Sequence, residues 1–221
     1  MKLGIIGRGP WGNVYARTLE GMGVDFWQVA GHGLWKHQAA DGLIIATAAH
    51  SHYDVAIQPI QWGIPVLVEK PVCLTSAHAQ ELLKLAQLHN GIVFTGHTRL
   101  YSPAWREFKR RALELGVRAV QAKVGGPCKL DPWWDWGPHL VALCLDLGAH
   151  PEIRVSREPI PLEMIVNGTL VFDDPLTKPT ALEVLLTEFM AAIERGEPDV
   201  TSLQLGVAVV DYLERSDRGS H

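Results

Sequence analysis

A chain of 221 residues is long enough for one large domain or two small ones with a real hydrophobic core. Its formal net charge of −4 is too mild to steer it to nucleic acid or to an anionic membrane surface. No apolar run approaches the roughly 18–20 residues of a membrane span. The start, Met1 to Gly7, passes directly into a buried-strand pattern, so no signal peptide is expected. The three cysteines, Cys73, Cys128 and Cys144, lack metal spacing and fit a reducing, cytoplasmic compartment. Residues 218–221 read as the stump of a purification tag.

In chain order, Leu3 to Ile6 is a short apolar run that stops at a glycine. Asn13 to Met22 has helical spacing, Val24 to Ala30 reads as a second strand, and Gly31 to Ala40 as a short polar connection. Gly42 to Thr47 is apolar on both faces, as a parallel strand covered by helices would be. A helix from Tyr53 to Trp62 precedes a strand from Pro65 to Glu69. A helix from Ser76 to His89 follows, with Thr75 as N-cap and Asn90-Gly91 as its stop, and then a strand from Ile92 to Gly96. This alternation predicts a doubly wound parallel sheet over residues 1–97.

Residues 98–217 predict a smaller α+β domain. Its helices are Ala104 to Leu115, Pro138 to Leu147, Thr180 to Glu194 and Ser202 to Arg215. Its reduced antiparallel sheet comprises Ala119 to Val124 and a hairpin turning at Asn167-Gly168. Among the eight tryptophans, Trp133, Trp134 and Trp136 crowd into one proline-bounded polar stretch, which suggests a ligand wall.

Gly7-Arg8-Gly9-Pro10-Trp11-Gly12 is a G-x-G-x-x-G between a strand and a helix. The first glycine permits a tight turn and the second lets the backbone approach a pyrophosphate. The third allows close helix–strand packing, and the helix N-terminus offers free N–H groups. This predicts a Rossmann unit binding NAD or NADP. No Asp or Glu ends the second strand to hold an adenosine ribose, whereas Arg8, His32 and Lys36 are nearby cations, which leans the expectation to NADP. The short connection to Gly42 implies a trimmed adenosine side.

Four stretches together resemble the Gfo/Idh/MocA family, the glucose–fructose oxidoreductase and inositol dehydrogenase group. They are the glycine loop; Ile44 to His52; Gly63 to Pro71 with its Glu69-Lys70-Pro71; and Asp135-Trp136-Gly137-Pro138-His139. The resemblance implies an NAD(P)-dependent dehydrogenase or reductase acting on a sugar, cyclitol or related small molecule. Thr47, Ala48, His52, Glu69 and Lys70 join the glycine loop in binding the cofactor, and a cis bond is expected at Lys70-Pro71. Lys70, Asp135 and His139 carry the catalysis. His139 exchanges the substrate proton, Asp135 sets its ring, and Lys70 steadies charge on the oxygen. His97, Tyr101, Trp134 and Trp136 line the substrate. Self-association through the second-domain sheet, as a dimer or tetramer, is also implied. His50 and His52 form an H-x-H without a third ligand, so no metal is expected. The competing reading is a non-catalytic nucleotide- or ligand-binding protein on the same fold.

Overall fold

The computed structural model describes all residues except 32–33, 129–130, 150–151, 173–177 and 219–221. Two compact units emerge: Met1–Gly96 with Leu185–Val207, and His97–Val184 with Ala208–His221. The expected second domain, residues 98–217, is thereby interrupted, because a stretch of its closing helices packs with the first unit.

The first unit is built on five parallel strands, β1 (Lys2–Ile6), β2 (Asp25–Val29), β3 (Gly42–Ile45), β4 (Val66–Glu69) and β5 (Val93–Gly96), in the order β2-β1-β3-β4-β5. Strands β3, β4 and β5 are buried at every position. This is what unbroken apolar runs produce when helices cover both faces. The chain steps from β1 to one side and then crosses back to β3. The switch point between these strands opens at their C-terminal ends, beside Gly7 and Ala46.

Helix α1 (Pro10–Gly21) starts three residues earlier than the apolar spacing predicts, with Pro10 in its first turn. Proline loses nothing there, since the first N–H groups of a helix have no intrahelical acceptor. Among the described residues, the link from β2 to β3 holds one 3-10 turn, Leu34–His37, and no further helix or strand flanks β2. Helices α2 (His52–Gln61) and α3 (Ser76–Leu88) follow β3 and β4, and the Thr75 hydroxyl caps α3 by accepting from the His78 N–H at 3.3 Å. Leu185, Leu186, Phe189 and Ala192 are buried. Their helical spacing explains why this stretch joins the first unit: the Phe189 ring lies 5.5 Å from that of Phe94 on β5. Further on, Ser202 accepts from the Thr95 N–H at 3.0 Å.

The second unit carries β6 (Val120–Gly125), β7 (Glu152–Ser156), β8 (Ile160–Val166) and β9 (Leu170–Phe172), ordered β7-β6-β8-β9. The sheet is mixed and not purely antiparallel, because β7, which the sequence reading missed, pairs parallel with β6. The hairpin is where it was expected, with Asn167 and Gly168 both at positive φ, 54° and 72°. One face, including Val120, Ala122, Val124, Met164, Val166 and Phe172, packs with Trp105, Phe108, Leu140 and Leu143. These last four come from α4 (Pro103–Leu115) and α6 (Gly137–Asp146). The register puts Gln121, Lys123, Glu152, Arg154, Glu163, Ile165 and Val171 on the opposite face, with a 3.0 Å ion pair between Lys123 and Glu163.

The three clustered tryptophans are not on an open loop. Asp131 caps a short helix, α5 (Pro132–Asp135), accepting from the Trp133 N–H at 2.9 Å, and α6 follows directly. The last two helices are α7 (Ala181–Arg195) and α8 (Thr201–Arg218). Arg218, assigned above to the tag remnant, closes α8, and the rest of that remnant lies outside the described residues. Among the described residues no helix is long and apolar enough to cross a membrane.

Candidate functional site

The glycine loop bends sharply out of β1. Gly7 has φ +130°, a conformation that side chains rarely adopt, and a Cβ there would overlap the Ala46 carbonyl at the end of β3. A Cβ on Gly12 would overlap the Gly7 carbonyl, so this glycine lets α1 close onto the turn. Gly9 differs from both. Its backbone is extended, and an added Cβ would meet nothing within 4 Å. Its hydrogen atoms therefore border open space, as the approach of a ligand to the backbone requires. The N-terminus of α1 has no side-chain cap and no acidic residue in its first turn. Its N–H groups and partial positive charge are thus not satisfied by the cap itself.

On the β2 side, the Arg8 guanidinium donates to the Gln28 carbonyl at 3.1 Å. The Gln28 amide donates to the Gly7 carbonyl at 2.8 Å and ties β2 to the loop. Lys36 is exposed in the 3-10 turn, and His32 lies outside the described residues. Trp11 is partly exposed and sits 6.4 Å, ring to ring, from Tyr15.

At the end of β3, the Ser51 hydroxyl donates to the Ala48 carbonyl at 2.8 Å and to Thr47 Oγ1 at 2.9 Å. Thr47 is half-buried and Ala48 exposed, so both are reachable. His52 is not: it is 1% exposed, with Nδ1 2.8 Å from the Pro71 carbonyl and Nε2 3.2 Å from the Thr47 carbonyl. Burial holds this imidazole below its ordinary pKa, helped by His50 and Lys70 and opposed by the two carbonyls. His52 thus braces the loop after β3 against the turn after β4, a role its sequence neighbourhood did not reveal.

β4 ends in Glu69, followed by a cis peptide bond between Lys70 and Pro71. Both Glu69 and Lys70 are buried. Glu69 accepts a 2.7 Å hydrogen bond from the Tyr15 hydroxyl. Burial pushes its pKa up to about 7, against the Lys70 ammonium and the Tyr15 hydroxyl, which favour the anion. A carboxyl raised in the folded state stabilises the fold at low pH, and that contribution is lost as pH rises through about 7. Cys73, close behind, has its thiol pushed up to about 12 by burial, which leaves it a packing residue.

In the second unit, His97 is buried just before the 3-10 turn Thr98–Tyr101, and Tyr101 is buried within that turn. Asp135 is half-buried at the end of α5. His139 lies in the first turn of α6, 8% exposed, with its ring 6.0 Å from that of Trp136. Trp136 is itself pinned, donating from Nε1 to the Gly126 carbonyl at 3.0 Å, and Trp133 donates likewise to the Leu213 carbonyl at 3.0 Å. Trp133 and Trp134 pack on the cluster of Val141, Ala142, Val209 and Leu213. These indoles are anchored into the cores of the second unit, so any stacking surface they offer is a rigid one. Asp131 and Gly126, which the sequence reading passed over, set their positions. The Asp-Pro pair at 131–132 was the available signal.

The model of an oxidoreductase family with an NAD-binding Rossmann fold, Gfo/Idh/MocA, matches residues 16–97. The rhizopine catabolism protein MocA of Rhizobium meliloti is 24% identical over 130 residues, 49% of this chain and 41% of that protein. The scyllo-inositol 2-dehydrogenase (NAD(+)) of Bacillus subtilis is 27% identical over 97 residues, 43% of this chain and 28% of that protein. The chain thus spans less than half the length of these relatives. The crystal structure of GenD2 from gentamicin A biosynthesis, in complex with NAD, superposes with a TM-score of 0.81 at 19% identity. That superposition covers 100% of this chain and 94% of GenD2, and shows that the two share a fold. Over residues 16–97 the chain is thus similar to the Gfo/Idh/MocA oxidoreductase family.

Proposed function

We propose that the protein is an NAD(P)-dependent dehydrogenase or reductase that transfers a hydride between nicotinamide and a sugar, cyclitol or related alcohol or carbonyl. The observation that carries this reading is the glycine loop at the switch point. Gly9 opens onto free space and the uncapped start of α1 stands behind it, which suits a pyrophosphate. Bound nicotinamide would supply the hydride acceptor or donor. Gly7 to Gly12 bind the pyrophosphate, and Thr47, Ala48, Glu69 and Lys70 the nicotinamide half, with His52 bracing them. His139 exchanges the hydroxyl proton, Asp135 orients it, and Lys70 stabilises charge on the oxygen. His97, Tyr101, Trp134 and Trp136 contact substrate.

Arg8, fastened to the end of β2 where an acid is missing, supports a preference for NADP, whose 2′-phosphate a guanidinium suits. The free cysteines support a cytoplasmic location. A panel of pyranoses and inositols, incubated with NAD or NADP and followed by nicotinamide absorbance, tests the reading. Turnover with a member of the panel is expected, faster with NADP. Absence of turnover with either cofactor across both classes contradicts it.

Self-association is proposed through the outer face of the second sheet. Ile165 and the exposed Val171 lie there beside Lys123 and Arg154 on one side of the charge balance and Glu152 and Glu163 on the other. A two-fold axis could pair this set with itself. Light scattering at micromolar concentration is expected to report a dimer or tetramer; a monomer contradicts it.

A further inference from the structure

The carboxyl of Glu69 occupies an unusual position for an ionisable group. The residue is 4% exposed at the C-terminal end of β4, the sheet edge that carries the glycine loop. One oxygen, Oε2, takes the Tyr15 hydroxyl at 2.7 Å. The other, Oε1, is buried with no side-chain partner, and the Lys70 backbone N–H also acts on the carboxyl. An ionised carboxylate that is this buried is costly, so the arrangement needs a reason. Space for the pair comes from Gly96 at the end of β5. A Cβ there would lie 2.7 Å from Oε2 and 2.9 Å from the Tyr15 hydroxyl, so a methyl group would wedge the two apart. Tyr15 belongs to α1, the helix whose first turn follows the glycine loop. Lys70 is the next residue along the chain and interacts electrostatically with the Glu69 carboxyl.

We propose that Tyr15 and Glu69, seated in the notch left by Gly96, form a buried positioning pair that sets the field at the Lys70 ammonium and couples it to the glycine-loop helix. This deepens the proposed function and rests on that reading for its catalytic consequence. Beyond its proposed place at the nicotinamide half, Glu69 acts in this pair as a positioning residue, through Lys70. The groups acting on it are Tyr15 from α1 and Lys70 from its own chain segment, and β5 presents only the glycine. The pair would let Lys70 stand beside an anion at mildly basic pH and beside a neutral acid at mildly acidic pH. The change of state falls near neutrality, because burial opposes the Lys70 ammonium, the Tyr15 hydroxyl and the Lys70 backbone N–H, which all favour the anion.

The test is carbon-13 NMR on the full chain labelled at glutamate carboxyls and lysine Cε, with fluorescence titration of NADH in parallel. Glu69 is assigned by the signal lost in Glu69→Gln, and Lys70 by the signal lost in Lys70→Arg. The Glu69 carboxyl is expected to titrate near pH 7, and the Lys70 signal to step at the same pH. Tyr15→Phe should raise that midpoint by about one unit, since it removes a donor to the anion, with the Lys70 step moving alongside. Gly96→Ala should act in the same direction by parting the pair, with Tyr15, Glu69 and Lys70 all unmutated. NADH affinity should change through the same midpoint in the wild type and be flat in Glu69→Gln. A Lys70 signal that ignores the Glu69 midpoint, or a midpoint unmoved in Tyr15→Phe, overturns the pair. If NADH fails to bind the wild-type protein, the cofactor reading falls, while the two resonances still decide the pair.

Discussion

Replacing His139 with alanine is expected to lower turnover by about 10²–10⁴-fold while leaving cofactor affinity nearly intact. General acid–base catalysis by a placed side chain is typically worth that factor, or about 3–5 kcal/mol of activation free energy. The residue suits the role. It stands in the first turn of α6, and its backbone N–H donates to the Trp136 carbonyl at 3.1 Å. Its ring neighbours an indole that is itself pinned to Gly126. Neither that backbone bond nor the Trp136–Gly126 bond runs through the imidazole, and thermal unfolding of the variant separates lost chemistry from lost stability. Asp135→Asn should cost less, because it acts through the ring. Lys70→Ala should harm both turnover and cofactor binding, because Lys70 belongs to the cofactor unit. Steady-state kinetics on a substrate found in the panel, with NADH affinity measured separately, checks all three. Near-normal turnover in His139→Ala contradicts the assignment of the proton exchange to this residue.

The parallel sheet was legible because its signal is local. Each of Leu3 to Ile6, Gly42 to Ile45 and Val66 to Glu69 is a short apolar run bounded by glycine, proline or a helix signal. Strand β7 was not, since Glu152–Ser156 offers only Ile153 and Val155 as alternating apolar positions. That is too little period-two signal to separate from a loop. The assignment of Leu185–Val207 depends on what it packs against, and Phe94 is nearly a hundred residues away from Phe189 in sequence. Helical spacing gave the helix and was silent on its partner.

The candidate site divides in the same way. Gly7, Gly9 and Gly12 declare themselves by spacing, because each glycine answers a local backbone demand. His52 declared itself as a ligand contact, and its role as a brace was not legible because its partner Pro71 lies 19 residues on. The Tyr15–Glu69 bond spans 54 residues and has no sequence signature at all. The tryptophan stretch misled for a different reason. Polar and proline-rich composition reads as loop, yet Asp131 as cap and Pro132 after it start a helix there.

Gly9→Leu separates binding from folding more cleanly than any other substitution in the loop. At Gly7 a side chain would fight both the backbone conformation and the Ala46 carbonyl, and at Gly12 it would strike the Gly7 carbonyl. Either variant would unsettle the loop itself. At Gly9 the backbone is ordinary and the space beyond is empty, so leucine fits the fold and occupies the volume assigned to the pyrophosphate. Loss of affinity by at least about 10²-fold is expected, since a blocked phosphate site removes the contacts that a dinucleotide depends on most. The decisive measurement is a fluorescence titration of NADH and NADPH against wild type and Gly9→Leu, with thermal unfolding of each. The account predicts saturable binding by the wild type, none by the variant, and matching unfolding curves. Equal affinity in the two proteins, or no saturation by either nucleotide in the wild type, contradicts it.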